Sequence, residues 1–177
     1  MIAIAALVIF AAMIAEAQLA RANDRALRAA GAIEPRGDVY RVMQVAYPAC
    51  FVLMLAEGAV RSAGVDAVFW AGAAVFAAGK ALKYWAIASL GRRWTFRVLV
   101  PPESERIRRG PYRWLAHPNY IGVAGELIGT AIAMRAVSSG PLAVAGFTFL
   151  MVRRVIVEES ALAVAAPARP SRVPPPE

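Results

Sequence analysis

Cysteine and histidine are nearly missing from this chain, which has one of each, Cys50 and His117. With a single cysteine no disulfide framework forms within the chain, and Cys50 is expected to serve as a small buried hydrophobe. A zinc site draws on several His, Cys or acidic ligands at recognisable spacing, and that pattern is not present. No phosphate-cradling loop and no glycine fingerprint for a dinucleotide occurs. Charged residues are scarce too, 18% of the chain, where a soluble domain carries about 25%. No internal repeat is visible, so an inverted-repeat transporter is disfavoured. Residues 1–19 lack a basic leading segment and an obvious small-residue cleavage site, which predicts a retained helix rather than a signal peptide.

What the chain has in abundance is apolar sequence. Of its 177 residues 59% are hydrophobic, and the mean hydropathy is +0.52. Several stretches approach the ~20 residues that cross a bilayer. The expectation is an all-α, polytopic membrane protein with about five transmembrane helices and a long polar connection before the fourth. The helices are predicted over residues 2–19, 42–60, 65–82, 118–134 and from about 141 onward, with a kink in the second at Tyr47-Pro48. Ser138-Ser139-Gly140 is predicted to be the turn before the last helix. Residues 1–166 read as one integral membrane domain. Residues 167–177 contain five prolines and read as a disordered tail.

Net charge is +8, which in a soluble protein would raise nucleic acid as a partner. Its distribution argues against that. Of the 20 Lys and Arg residues, 18 fall in residues 21–41, 80–113 and 153 onward, and the other ends of the helices carry only Arg61 and Arg135. The positive-inside rule then places the N-terminus outside, the C-terminus inside and the long central loop in the cytoplasm. Trp94 and Trp114 sit among the arginines of that loop, as at a membrane interface.

Three groups need a reason beyond topology. Residues 110–120 read Gly-Pro-Tyr-Arg-Trp-Leu-Ala-His-Pro-Asn-Tyr, a polar and aromatic turn just before an apolar helix. Pro118 suits the first turn of that helix, which puts His117 at its mouth, where free N–H groups favour an anion. Glu126 lies inside the same apolar helix, and carboxylates at membrane depth face a cavity or a partner. Finally Arg154 and Glu158 are four apart and share a helix face, with Glu159 beside them and Arg153 about 100° round from Arg154. The apolar part of the last helix, residues 141–152, spans roughly 18 Å, short of a ~30 Å core, so it either recruits residues 136–140 or brings these arginines into the membrane. A pocket of His, Tyr, Arg and two Glu suits a zwitterionic or cationic ligand carrying a ribose.

These motifs together resemble the isoprenylcysteine carboxyl methyltransferase superfamily. The matching residues are Gly110-Pro111-Tyr112, His117-Pro118-Asn119-Tyr120, and Arg154 with Glu158-Glu159 and Leu162. Residues 85–91, Trp94, residues 97–100, residues 31–34 and Glu126 resemble a small bacterial branch, associated with O-methylation of long-chain phenols and pyrones. The resemblance implies an S-adenosylmethionine-dependent methyltransferase acting on an oxygen, carboxylate or phenol, of a lipophilic acceptor taken from the membrane. It implies a cofactor site at Tyr112, His117, Pro118, Asn119, Tyr120, Glu158 and Glu159, joined by Ser104, Glu105, Arg106 and Ile107. Arg154 and Glu158 would be catalytic, with Arg154 and Glu126 facing the acceptor. No metal and no nucleic acid are implied. The competing readings are a phospholipid amine N-methyltransferase and a small transporter using Glu16, Glu57 and Glu126 as a polar path.

Overall fold

The computed structural model describes residues 1–101 and 107–165, with side chains to residue 161. Five α-helices follow in order: α1 (Ile2–Ala29), α2 (Tyr40–Val60), α3 (Ala67–Leu90), α4 (Pro118–Ala133) and α5 (Ser139–Ala165). Two 3₁₀ turns, Gly91–Arg93 and Gly110–Arg113, belong to the long α3–α4 connection. Among the described residues the only β-type pairing is an isolated antiparallel bridge between Ile33 and Val100. It ties the α1–α2 connection to the central loop. The expected tail, residues 167–177, and the loop residues Ser104, Glu105 and Arg106 lie outside the described residues.

Helices α1, α2 and residues Ser139–Ala161 of α5 are long and apolar enough to cross a bilayer, and the protein is an integral membrane protein. α1 runs ten residues past the predicted end, because Ala, Arg and Leu are strong helix formers and the first breaker is Gly31. Its 28 residues extend roughly 42 Å, so the last turns reach beyond a ~30 Å hydrocarbon core. There Asn23 donates to the carbonyls of Gly91 and Trp94 at 3.3 and 2.7 Å, docking α1 on the central loop. Large side chains such as Ile4, Leu7, Val45, Leu53 and Phe149 are exposed, as a lipid-facing surface requires. The packed core joins Phe51, Met54 and Leu55 of α2 to Val123 and Leu127 of α4 and Phe147 and Met151 of α5. Cys50 is half-buried against it.

The last helix begins at Ser139, two residues before the predicted start, so Ser139 and Gly140 are helical rather than turn. Glu57 explains this. Its carboxylate accepts from the Ser138 and Ser139 amides at 3.1 and 2.7 Å and from the Ser139 hydroxyl at 2.6 Å, capping α5 from α2, while Arg61 pairs with it at 2.8 Å. Free helix N–H groups make that end a natural seat for a carboxylate.

α3 and α4 touch backbone to backbone. A Cβ on Gly72 would fall 2.3 Å from the Ala133 amide, and one on Gly79 2.7 Å from the Gly122 carbonyl. A Cβ on Gly129 would fall 2.3 Å from the Phe76 amide. Glycines seven apart on each helix lie on one face, and small residues let membrane helices approach closely.

That close approach delivers two lysines to the interior. Lys80 Nζ lies 3.0 Å from Glu16 and 2.8 Å from Glu126, and Lys83 Nζ lies 2.6 and 3.3 Å from the same two carboxylates. Tyr47 donates to Glu126 at 2.5 Å. Two cations and two anions cancel, which is how ionised groups persist out of water. This corrects the sequence-based count: Lys80 and Lys83, counted there with the cytoplasmic charges, are paired inside the bundle. The arginine asymmetry remains without them. Glu16 and Glu126 are held in this cluster, whereas Glu57 belongs to the separate α5 cap, so the three acids do not form one path.

Candidate active site

The mouth of α4 is built as its sequence dictates. His117 is the N-cap residue, Pro118 occupies the first helical position, and the Tyr120 amide reaches the His117 carbonyl at 3.1 Å. No side chain caps this helix end, so its amide dipoles face outward. Tyr120, one turn in, stacks its ring on His117 with centroids 5.6 Å apart. The preceding Gly-Pro-Tyr turn is locked against α3. Gly110 has φ +57°, and a Cβ there would meet the Ser89 hydroxyl at 2.0 Å. Arg109 donates to the Ser89 carbonyl at 2.7 Å.

α5 supplies the opposite wall. Arg154 Nε donates to the Tyr120 hydroxyl at 2.9 Å, and that hydroxyl donates to Glu158 at 3.0 Å. His117 Nε2 lies 2.9 Å from Glu159. Arg154 is 6% exposed, whereas Arg153 points out of the fold. A residue that the sequence reading did not single out completes the cluster. Asp38, from the α1–α2 connection, accepts from Arg154 at 3.4 Å, from the Tyr40 amide at 3.1 Å and from the Val98 amide at 3.0 Å. No local motif marks it; its importance comes from meeting a helix 116 residues away. Near it, Arg97 bonds Glu34 at 2.8 Å and lies over the Tyr40 ring. Burial pushes the Glu34 carboxyl up, but the Arg28 and Arg97 bonds more than offset this and hold it below its usual value. Burial, reinforced by the charge of Glu158, pushes the Tyr112 phenol up, so it stays a neutral donor at physiological pH.

Two cavities meet here. The smaller, about 110 Å³, is lined by Tyr112, His117, Asn119, Tyr120, Arg154 and Glu158, with Arg93, Trp94 and Arg97 among the remainder. The larger, about 330 Å³, runs between the helices and is mostly apolar, with Phe10, Met13, Met43, Val123 and Phe147 in its wall. Thr95, Asn119, Tyr120 and Arg154 line both.

The family model for the isoprenylcysteine carboxyl methyltransferase (ICMT) family matches residues 71–164. The chain belongs to the ICMT family. Members of this family are membrane methyltransferases that use S-adenosylmethionine as methyl donor. The matched ICMT region begins in α3 and takes in the central loop, α4 and nearly all of α5. Asp24, Asp38 and Tyr47 therefore lie outside it. The chain is 34% identical over 115 residues to the uncharacterized protein YpbQ of Bacillus subtilis, covering 64% of this chain and 68% of that one. It is 23% identical over 141 residues to an uncharacterized protein of Haemophilus influenzae, covering 79% and 82%. No solved structure matches it.

Of the site residues expected from sequence, Tyr112, His117, Asn119, Tyr120, Arg154 and Glu158 come together around the smaller cavity. Pro118 is buried behind it, and Glu159 reaches it through His117. Ile107 is half-buried and is not among the residues lining either cavity. Glu126 is 1% exposed and lies behind the larger cavity in the lysine cluster, where Tyr47 and Lys83 present the polar wall. Among the described residues no group of three or more His, Cys, Asp or Glu side chains is placed to hold a metal ion.

Proposed function

We propose that this protein is an S-adenosylmethionine-dependent methyltransferase that transfers a methyl group to an oxygen of a lipophilic acceptor drawn from the bilayer. The observation that carries this reading is the shared wall: a polar cavity and an apolar cavity separated by Thr95, Asn119, Tyr120 and Arg154. A polar donor molecule and an apolar acceptor held on either side would meet at that wall, and bringing reactants together in alignment is the main demand of group transfer.

The donor set of the smaller cavity fits S-adenosylmethionine. Glu158 offers a carboxylate to hydroxyls or an ammonium, the α4 mouth and Arg93 suit a carboxylate, and Tyr112 and Trp94 supply aromatic surface. The described cavity, about 110 Å³, accommodates a polar fragment of that molecule, so the fit rests on chemistry rather than on volume. When bound, S-adenosylmethionine supplies an electrophilic methyl group on a cationic sulfur. That positive charge fades as the methyl leaves, so an anion pressed against it would over-stabilise the ground state. Glu158 and Glu159 are accordingly assigned to binding, with Glu158 also orienting Tyr120. Arg154 is assigned to the acceptor oxygen, whose negative charge a buried guanidinium steadies. Asp38 holds Arg154 in place from behind.

The arginine-rich connections support a site on the cytoplasmic side, with the N-terminus outside, in a bacterial inner membrane. The test joins two measurements. Calorimetry of the purified protein should show S-adenosylmethionine binding, and mass spectrometry of lipid extracts should show a species gaining one methyl group only where the protein is present. Absence of binding refutes the assignment, and a methylated amine in place of a methylated oxygen redirects it to nitrogen.

A further inference from the structure

Two carboxylates line the larger cavity among the described residues, Glu16 and Asp24. Glu16 is fully engaged, one oxygen with Lys80 and the other with Lys83. Asp24 is not. Its Oδ2 lies 3.5 Å from Arg97 Nε, while its Oδ1 is buried and makes no hydrogen bond among the described residues. A buried oxygen without a donor is uncommon, because desolvating it costs about 1–3 kcal/mol. The other acids near the shared wall have their oxygens in use or lie elsewhere. Asp38 spends both on Arg154, Tyr40 and Val98, and Glu158 accepts from Tyr120 on the side of the smaller cavity. The position of Asp24 is well supported: the neighbouring Asn23 clamps α1 to the central loop, and Arg154 and Tyr120 line the same cavity.

We infer that Asp24 Oδ1 is the proton acceptor for a hydroxyl-bearing acceptor. This rests on the methyltransferase reading and narrows it. As methyl transfer proceeds, the hydroxyl O–H bond breaks and its proton passes to Asp24. The oxygen electron pair forms the new carbon–oxygen bond, and the carbon–sulfur bond breaks with its pair left on sulfur. One cation and one carboxylate become a neutral thioether and a neutral carboxylic acid, so charge balances. Asp24 then returns the proton to water. Arg154 and Asp24 thus divide the work, one steadying negative charge on the oxygen and one removing its proton. An acceptor carboxylate has no proton to give and would meet the negative charge of Asp24, so the arrangement selects a phenol or enol over a carboxylate.

The experiment uses the full chain in lipid nanodiscs with S-adenosylmethionine and two probes. One is a long-chain alkylphenol, titrating near 10. The other is the same molecule with a ring nitro group, ionised at the assay pH. Asp24→Asn should lower kcat on the plain phenol about 100-fold or more yet stay within about five-fold on the ionised probe, with cofactor affinity unchanged. Asp24→Glu should recover part of the loss. Should Asp24→Asn not fold, the wild type decides the matter: a solvent deuterium isotope effect is expected on the plain phenol and not on the ionised one. Equal loss on both probes, or an isotope effect that does not distinguish them, overturns the base. A wild type that binds S-adenosylmethionine but leaves both phenols unmethylated overturns it while the methyltransferase reading stands. A wild type that binds no S-adenosylmethionine brings down both.

Discussion

At the scale of single residues, the site turns on one hydroxyl. Tyr120 accepts from Arg154 and donates to Glu158, so one hydroxyl in the wall shared by the two cavities links Arg154 to Glu158. Arg154→Lys keeps the charge but loses the planar fork that serves Tyr120 and Asp38 together. It should lower turnover sharply with cofactor affinity within a few-fold. Arg153→Lys or Ala should be tolerated, since that side chain is exposed. Kinetics on the three folded variants decides this; an essential Arg153 beside a dispensable Arg154 would relocate the acceptor site. On the donor side, His117→Ala and Glu158→Ala each remove one charge-assisted hydrogen bond, worth about 1.5–3 kcal/mol, or roughly 10–150-fold in S-adenosylmethionine affinity. Calorimetry showing wild-type affinity in both would place the cofactor elsewhere. The residues of this cluster were visible in the sequence because they sit in compact motifs. Asp24 and Asp38 were not, because they lie in a basic segment and the arginines they meet, Arg97 and Arg154, come from distant parts of the chain.

At the scale of elements, the α3–α4 pair positions the site. Its glycine face lets α3 approach until Lys80 and Lys83 enter the interior, and it presents Ser89 to the Gly110 turn. Gly129→Ala places a methyl 2.3 Å from a backbone amide, which cannot move as a side chain can. The helices must separate, and about 3 kcal/mol or more of stability should be lost. Gly146→Ala is the matched control, because nothing lies within 4 Å of its added methyl. Thermal unfolding in detergent should show a lower Tm for the first and little change for the second. Equal Tm values would mean that α3 and α4 do not meet at these glycines. The sequence showed Gly122, Gly125 and Gly129 on one helix but not which helix received them. Nor could it show that Glu57 caps α5, since the distance between those residues is set by how α2 and α5 pack.

For the molecule as a whole, the arrangement of charge predicts its orientation. In a Cys50→Ala background, a cysteine at exposed Val137 should label from outside and one at exposed Arg108 only after the membrane is opened. Labelling of both from the same side would refute the orientation. The sequence by itself determined that the chain is helical and membrane-embedded, because long apolar runs leave the backbone no other way to satisfy its hydrogen bonds in lipid. It also determined the family, because the Gly-Pro-Tyr, His-Pro-Asn-Tyr and Arg–Glu-Glu motifs are short and local. Tertiary structure decided which charges are inside. By hydropathy Lys80 and Lys83 belong with the loop arginines, and only the meeting of α1, α3 and α4 shows that two lysines and two glutamates neutralise one another. It also decided that the polar and apolar cavities share a wall, and that one carboxylate there, Asp24, has an oxygen with no hydrogen bond among the described residues. Those facts depend on distances between residues far apart in the chain, which composition and periodicity do not encode.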